Sequence, residues 1–120
     1  MIAIALAWPP RELHPNARVH WSVRARKAKN ARIVAAWTTR EAGLRRNDPD
    51  IPETLKVTAV FSPPDNRRRD VDGMLSSIKS YLDGIADVIG VDDSKWQIAL
   101  KREAPTKGGA VRIELERIGG

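Results

Sequence analysis

Four short segments of the chain carry the hydrophobic patterns of β-strands. Residues 2–8 form an apolar run that ends at two prolines, and this run predicts a buried strand. Three later segments alternate hydrophobic and polar residues, which is typical of strands with one buried face: LKVTAVF from Leu55, WQIAL from Trp96 and VRIELERI from Val111. Because the turn-forming sequence PTKGG separates the last two, we expect them to form a hairpin.

The first of two predicted helices covers residues 18–42. This segment is rich in Ala, Arg and Lys, contains no proline or glycine, and precedes Gly43, a common helix stop. Apolar residues at helical spacing, interrupted only at Asn30, predict its buried face: Val19, Val23, Val34 and Trp37.

The second helix is predicted over residues 71–89. Its apolar residues cluster on one side and predict a core face: Val71, Leu75, Ile78, Leu82, Ile85 and Ile89. The elements therefore follow the order β-α-β-α-β-β. We expect a single α/β domain over residues 1–120, with a mixed β-sheet of about four strands and two main helices.

The composition is that of an ordinary globular protein, with 42% hydrophobic and 30% charged residues. The chain has no cysteine, which excludes disulfide bridges and cysteine-based catalysis or metal binding. Its two histidines, His14 and His20, are not predicted to bind a metal. The apolar start is too short to span a bilayer and lacks the basic residues of a signal peptide, so we predict no membrane segment.

Positive charge is concentrated in the first third of the chain. Residues 11–46 hold ten Lys or Arg and two Glu, whereas the other residues hold eleven Lys or Arg and thirteen Asp or Glu. A basic segment followed by an acidic one indicates a surface that faces a polyanion next to a carboxylate site.

The sequence DNRRRDVD at residues 65–72 places three arginines directly before two aspartates. With 3.6 residues per turn, Asp72, Lys79 and Asp83 lie within about 20° of one line along the second helix, beside its core face. Such a stripe suits the edge of a cleft. In a simpler interpretation, Asp70 caps the helix and Asp72 complements its dipole.

Asp92 and Asp93 form a second acidic pair, in the turn between the second helix and the next strand. This pair can be a turn-forming polar sequence without any further role. In the functional interpretation, the reversal of the chain brings one of the two carboxylates back toward Asp70 and Asp72. Three carboxylates from separate elements suit Mg²⁺, and a neighbouring lysine would orient water or neutralise a phosphate.

The sequence RRRDVDGMLSSIKSYLDGIADVIGVDDSKW resembles the core of the RusA family of Holliday junction resolvases. That family combines basic residues, Asp-x-Asp-Asn, a helical lysine, a later aspartate and an Asp-Asp pair before a strand. The sequence AWPP followed by PNARVHW is similar to the start of phage-type members, and TKGGAVRIEL is similar to the family's closing hairpin. The resemblance covers essentially the whole chain.

The resemblance implies that Asp70, Asp72 and Asp93 bind catalytic Mg²⁺ and that Lys79 is the catalytic lysine. The chain departs from the family pattern at two points. Gly73 stands where the family has asparagine, and the lysine follows the second aspartate by seven residues rather than by the four of some members. Both lysine spacings point along the same helical face, which is compatible with one role.

Two further aspartates and several basic residues complete the predicted site. Asp92 is the alternative to Asp93 as a ligand, and Asp83 has a family counterpart to which the resemblance assigns no role. The predicted DNA contacts are basic residues beside the site or in the first helix: Arg67, Arg68, Arg69, Arg24 and Lys27. Arginine suits this task because its planar guanidinium makes paired hydrogen bonds to phosphate.

The resemblance implies a Mg²⁺-dependent endodeoxyribonuclease that resolves four-way DNA junctions by paired symmetric nicks. It also implies a homodimer, since two-fold symmetry fits two paired cuts, and a DNA-associated location in the cytoplasm of a bacterial or phage-infected cell. Two alternatives stay open. One is a DNA-binding module without catalysis, in which the aspartates are caps and turns. The other is a metal nuclease that acts on RNA or on other branched DNA.

Overall fold

A computed structural model of the chain describes residues 2–46, 48, 51 and 54–117, the last of these by its backbone alone. Four strands are present in this part of the chain: β1 (Ile2–Ala7), β2 (Leu55–Ser62), β3 (Trp96–Arg102) and β4 (Ala110–Arg117). Three α-helices accompany them: α1 (Trp21–Glu41), α2 (Val71–Ser77) and α3 (Lys79–Ile89). Single turns of 3₁₀ helix lie at Arg11–Leu13 and Asp93–Lys95. The predicted α/β domain with a mixed four-stranded sheet is confirmed.

The strands form one sheet in the order β1-β4-β2-β3. Strand β4 is antiparallel to both β1 and β2, whereas β2 and β3 are parallel. The predicted hairpin between β3 and β4 is therefore wrong, because β2 lies between these two strands. The turn itself exists, since Gly108 and Gly109 both have positive φ angles, but it leads into a strand on the far side of β2.

The hydrophobic core lies on one face of this sheet. Strands β2 and β4 alternate as predicted, except that Val60 of β2 is buried as well, and β1, predicted as an apolar buried strand, alternates too. The buried side chains on the core face are Ile4, Leu6, Leu55, Val57, Ala59, Phe61, Val111, Ile113 and Leu115. Strand β3 is at the sheet edge, where only Trp96 is buried and Ile98 stays 45% exposed. These residues form one cluster with the inward faces of the helices. Among the described residues, no helix is long and apolar enough to cross a bilayer.

The predicted buried face of α1 is wrong. Its valine and tryptophan at positions 34 and 37 are 52% and 60% exposed, whereas Ala31, Ala35, Ala36 and Thr39 are buried. The reason lies in α3, which approaches α1 closely at Gly84. A Cβ atom on Gly84 would lie 2.2 Å from the carbonyl oxygen of Arg32 and 3.0 Å from Cβ of Ala35. Only small side chains fit between two backbones this close, so the larger apolar residues of α1 face outward.

The predicted second helix is two helices that meet at Ile78. This residue has φ −106° and ψ 8°, and its N–H donates to the carbonyl oxygen of Leu75 at 3.2 Å, so the last turn of α2 is tightened. The side chain of Ile78 is fully buried, as are those of Ile85 and Ile89 on the predicted core face. Two residues of that face are less buried: Val71 is 47% exposed at the start of α2, and Leu75 is only partly buried.

Replacement of Gly84 by alanine tests the close contact between α1 and α3. The added methyl group cannot avoid the Arg32 carbonyl unless the helices separate. We expect Gly84→Ala to lower the free energy of unfolding by about 1–3 kcal/mol, although alanine favours helix over glycine by about 1 kcal/mol. Urea unfolding followed by circular dichroism measures this change. Arg26→Ala, at an exposed position of α1, is the control, with an expected change within about 0.5 kcal/mol. Equal or greater stability of Gly84→Ala would contradict the contact.

Candidate functional site

A charged cluster joins the start of α3 to the turn that follows it. The ammonium of Lys79 donates to Oδ1 of Asp83 at 2.8 Å, one helical turn along α3. It also donates to Oδ2 of Asp93, in the 3₁₀ turn that leads into β3. The side chain of Asp93 is only 26% exposed, so it is held against the helix. The structure thus brings Lys79, Asp83 and Asp93 together.

The two carboxylates raise the pKa of Lys79 above its ordinary value. The hydrogen bond that Lys79 donates to Asp83 contributes most, followed by the one that it donates to Asp93, while burial opposes both. Lys79 is therefore a protonated cation at neutral pH and cannot accept a proton there. Because the folded-state pKa is raised, the stability that this group contributes is present at neutral pH. It is lost only as the pH rises through the raised pKa.

Asp92 and Asp93 are adjacent but have different partners. Oδ1 of Asp92 accepts a hydrogen bond from the backbone N–H of Ser94 at 2.8 Å and caps the 3₁₀ turn. This backbone hydrogen bond is the main cause of the lowered pKa of Asp92, with a smaller contribution from the Ser94 side chain. Asp92 therefore stabilises the 3₁₀ turn, whereas the carboxylate of Asp93 accepts a hydrogen bond from Lys79.

Asp70 and Asp72 lie at the start of α2, and both are exposed. Asp70 is the N-cap residue, but its side chain accepts no capping hydrogen bond. Its backbone carbonyl accepts the bond from Met74 N–H at 3.2 Å instead. The simple interpretation of Asp70 as a side-chain cap therefore does not hold. Its carboxylate makes no hydrogen bond to the backbone of α2.

The three consecutive arginines have different surroundings. Arg69 is 20% exposed and donates to the backbone carbonyls of Asp65 and Arg67 and to the carboxylate of Asp65 at 2.9 Å. Its guanidinium also lies over the ring of Trp8, 5.3 Å from the centroid. Arg69 therefore shapes the loop before α2. Arg67 and Arg68 are exposed, with Arg67 at 3.7 Å from Asp65.

Of the two predicted contacts on α1, Arg24 also has a structural position. It donates to the carbonyl oxygens of His14 and Ala17, at 3.1 and 2.8 Å, and so ties the loop before α1 to that helix. Lys27 is half-buried on the same helix. A DNA contact by either residue stays a prediction.

Asp70, Asp72 and Asp93 are not grouped as one set of ligands. Within the ranges that the structure describes, no three Asp, Glu, His or Cys side chains are placed to hold one metal ion. The donor chemistry still fits, since Asp70 and Asp72 present exposed carboxylate oxygens and Mg²⁺ prefers oxygen ligands. Asp93 is paired with Lys79 through Oδ2, which leaves its Oδ1 as a further oxygen ligand. The Mg²⁺ site therefore stays a prediction.

Sequence reasoning did not select His14, which the structure places beside Asp70. Both Nε2 of His14 and Oδ1 of Asp70 lie within 2.6 Å of the position that a Cβ atom would take at Gly73. No periodicity relates positions 14 and 73, because the contact joins the 3₁₀ turn after β1 to the first turn of α2. The only local signal was the glycine itself, in the middle of a predicted helix.

Comparison with known proteins gives a relative without an assigned role. No protein-family model matches the sequence. The chain is 40% identical over 96 residues to an uncharacterized protein of Xylella fastidiosa, strain Temecula1. The matched segment covers 80% of this chain and 63% of that protein, so the chain spans less than two thirds of the length of its relative.

Removal of Asp83 tests the assignment of the Lys79 pKa. Because Asp83 is the main cause of the raised pKa, Asp83→Asn should lower the pKa of Lys79 toward its ordinary value of 10.5. Asp93→Asn should lower it as well, but by less. The Lys79 side-chain methylene resonances, followed by NMR through an alkaline titration and assigned with Lys79→Arg, give this pKa. As a control, Glu116→Gln, on the sheet face opposite the core, should leave it unchanged. A pKa that stays raised in both aspartate variants would contradict the cluster.

Proposed function

We propose that the protein is a Mg²⁺-dependent, structure-selective endodeoxyribonuclease that resolves four-way DNA junctions by paired symmetric nicks. The observation that carries the proposal is the contact of Asp93 with Lys79. It joins the second acidic segment to Lys79 at the start of α3, at an exposed surface. The resemblance to the RusA resolvases assigns the same residues to one site.

The proposed roles follow from the position of each side chain. Asp70, Asp72 and Asp93 would hold Mg²⁺, with Asp83 and Asp92 as neighbours that orient them. When bound, the ion would polarise the phosphate and supply a nucleophilic hydroxide. Because Asp70 does not cap α2 with its carboxylate, no helix hydrogen bond has to break before it binds a cation.

Lys79 acts as a cation in this proposal and not as a general base, because its pKa is raised. Asp93 bonds to Lys79 through Oδ2, which leaves Oδ1 for the ion. The ammonium of Lys79 has three N–H donors, so one beyond those given to Asp83 and Asp93 can reach a phosphate oxygen and neutralise the charge that develops during cleavage.

The DNA contacts are proposed at basic residues around this surface. Arg67 and Arg68 are exposed beside Asp70 and can reach phosphates directly. Arg69 and Arg24 act indirectly, because their donors hold the two loops that flank the site. A homodimer is proposed as well, and the exposed apolar residues of α1 around Val34 and Trp37 are compatible with a contact between subunits. We propose that the dimer acts on DNA in the cytoplasm of a bacterial or phage-infected cell.

A second candidate function is a DNA-binding module without catalysis. It is favoured by the arrangement of the carboxylates, which form no group of three metal ligands among the described residues. In this alternative the basic segment binds DNA, and the cluster around Lys79 only connects α3 to its following turn. Cleavage of RNA or of other branched DNA is a variant of the first proposal that a panel of substrates distinguishes.

The direct test is cleavage of a labelled synthetic four-way junction with Mg²⁺ and with EDTA. We expect paired nicks with Mg²⁺, no cleavage with EDTA and no cleavage of a linear duplex. Asp72→Asn should reduce the rate by at least about 100-fold, because even residues that only orient metal ligands cost about 10–100-fold. Glu116→Gln is the matched control, since it changes a carboxylate on the sheet face opposite the helices and should keep the rate.

Three outcomes decide between the candidates. Junction binding without nicks in any divalent metal would favour the binding module. Equal cleavage of linear and branched DNA, or of RNA in the substrate panel, would remove the selectivity for junctions. Full activity of Asp72→Asn would show that the site lies elsewhere.

A further inference from the structure

The space above Gly73 is shared by two side chains from distant parts of the chain. A Cβ atom at this position would lie 2.4 Å from Oδ1 of Asp70 and 2.6 Å from Nε2 of His14. Both distances are too short for real contacts, so any residue other than glycine would push these side chains apart. Gly73 has no positive φ angle, and its role here is to leave space. The imidazole of His14 and the carboxylate of Asp70 therefore both border the space above this glycine, without a direct hydrogen bond between them.

The hydrogen bond at Nδ1 of His14 determines whether Nε2 carries a proton. Nδ1 of His14 accepts a hydrogen bond from the backbone N–H of Asn16 at 3.1 Å. A neutral imidazole that accepts at Nδ1 carries its proton on Nε2. Nε2 is consequently a hydrogen-bond donor in the space that Asp70 also borders, and it is not free to bind a metal while the bond from Asn16 persists.

The loop that carries His14 is held in place by several hydrogen bonds. The carbonyl oxygen of His14 accepts from Arg24 at 3.1 Å and from the backbone N–H of Ala17 at 3.0 Å. A second bond from Arg24, to the carbonyl of Ala17, fixes the other end of the same loop. The imidazole is therefore presented to α2 from a braced backbone, as a group that orients a neighbour has to be.

We propose that His14 is a positioning residue for Asp70. The absence of a side chain at Gly73 leaves the space that the imidazole of His14 occupies. The Nε2–H of His14 donates to the Asp70 carboxylate through one bridging water, and orients the carboxylate lone pairs away from the helix start. The effect on catalysis rests on the proposed nuclease function, whereas the water-bridged link between the two side chains does not.

Two substitutions of His14 separate positioning from a structural role in the loop. His14→Gln retains an N–H donor near the place of Nε2 but loses the Nδ1 acceptor. His14→Asn retains an acceptor near the place of Nδ1, for the backbone of Asn16, but loses the donor toward Asp70. If His14 positions Asp70, the donor at the place of Nε2 is required. If His14 only holds its own loop, the acceptor at the place of Nδ1 is required.

The activity arm compares these variants in junction cleavage and in the Mg²⁺ concentration that gives half-maximal rate. We expect His14→Gln to stay within about threefold of the original protein. His14→Asn should lose about tenfold in rate or Mg²⁺ affinity, as is typical when a group that orients a metal ligand is removed. The reverse order, with His14→Asn active and His14→Gln impaired, would overturn the proposal. Thermal unfolding of both variants shows that each is folded.

The second arm uses NMR of the imidazole nitrogens in the metal-free protein, at a pH of about 8, where an ordinary histidine is neutral. We expect His14 to carry its proton on Nε2, and we expect Asp70→Asn to shift that Nε2–H resonance while Asp72→Asn leaves it unchanged. A proton on Nδ1, or no response to Asp70→Asn, would overturn the proposal. This arm needs no nuclease activity, so failure of the proposed function and failure of the His14 contact are distinguishable.

Discussion

The close approach of α1 to α3 at Gly84 is the constraint on which the rest of the structure depends. The two backbones are so close that only alanines, threonine and glycine fit between them. Arg32 closes the edge of this contact with two hydrogen bonds to the carboxylate of Asp87, at 2.6 and 2.7 Å. Since α3 is fixed in this way against α1 and the sheet, its remaining side is exposed, and Lys79 and Asp83 lie there.

The strands and the pairing of Lys79 with Asp83 on α3 follow from local patterns, which is why they could be predicted from the sequence. Asp72, predicted on the same stripe, lies on the separate helix α2. Alternation identifies a strand because successive side chains point to opposite faces. Likewise, Lys79 and Asp83 are four residues apart and must be neighbours on a helix. The buried face of α1 could not be predicted in this way. Helical spacing favours large apolar residues such as Trp37, but the distance to α3 allows only small ones. The pairing of β4 with β1 and β2 could not be predicted either, because a turn sequence does not specify which strands pair with the strand that follows the turn.

The candidate site likewise has one part that local sequence patterns predicted and another that depends on contacts between distant segments. The sequence indicated that the chain reverses after α3, and Asp93 does return to α3, where it contacts Lys79. The support of the site depends on contacts between distant segments. Arg69 lies over Trp8, and His14 lies over Gly73, although more than fifty residues separate the members of each pair. Such contacts have no periodic signature in the sequence. Only the folded structure shows that Arg69 holds the loop before α2 and that His14 lies next to the predicted site.

We propose that Asp70, Asp72 and Asp93 together hold divalent metal. Mn²⁺ tests it most directly, because it takes the same oxygen ligands as Mg²⁺ and its unpaired electrons broaden the NMR signals of nearby amides. At a low ratio of Mn²⁺ to protein, we predict that the amides of all three aspartates broaden first, and that Asp70→Asn greatly reduces the effect. Broadening that centres on other carboxylates, such as Glu103 and Glu114 near Arg112, or that reaches only one of the two acidic segments, would contradict the claim.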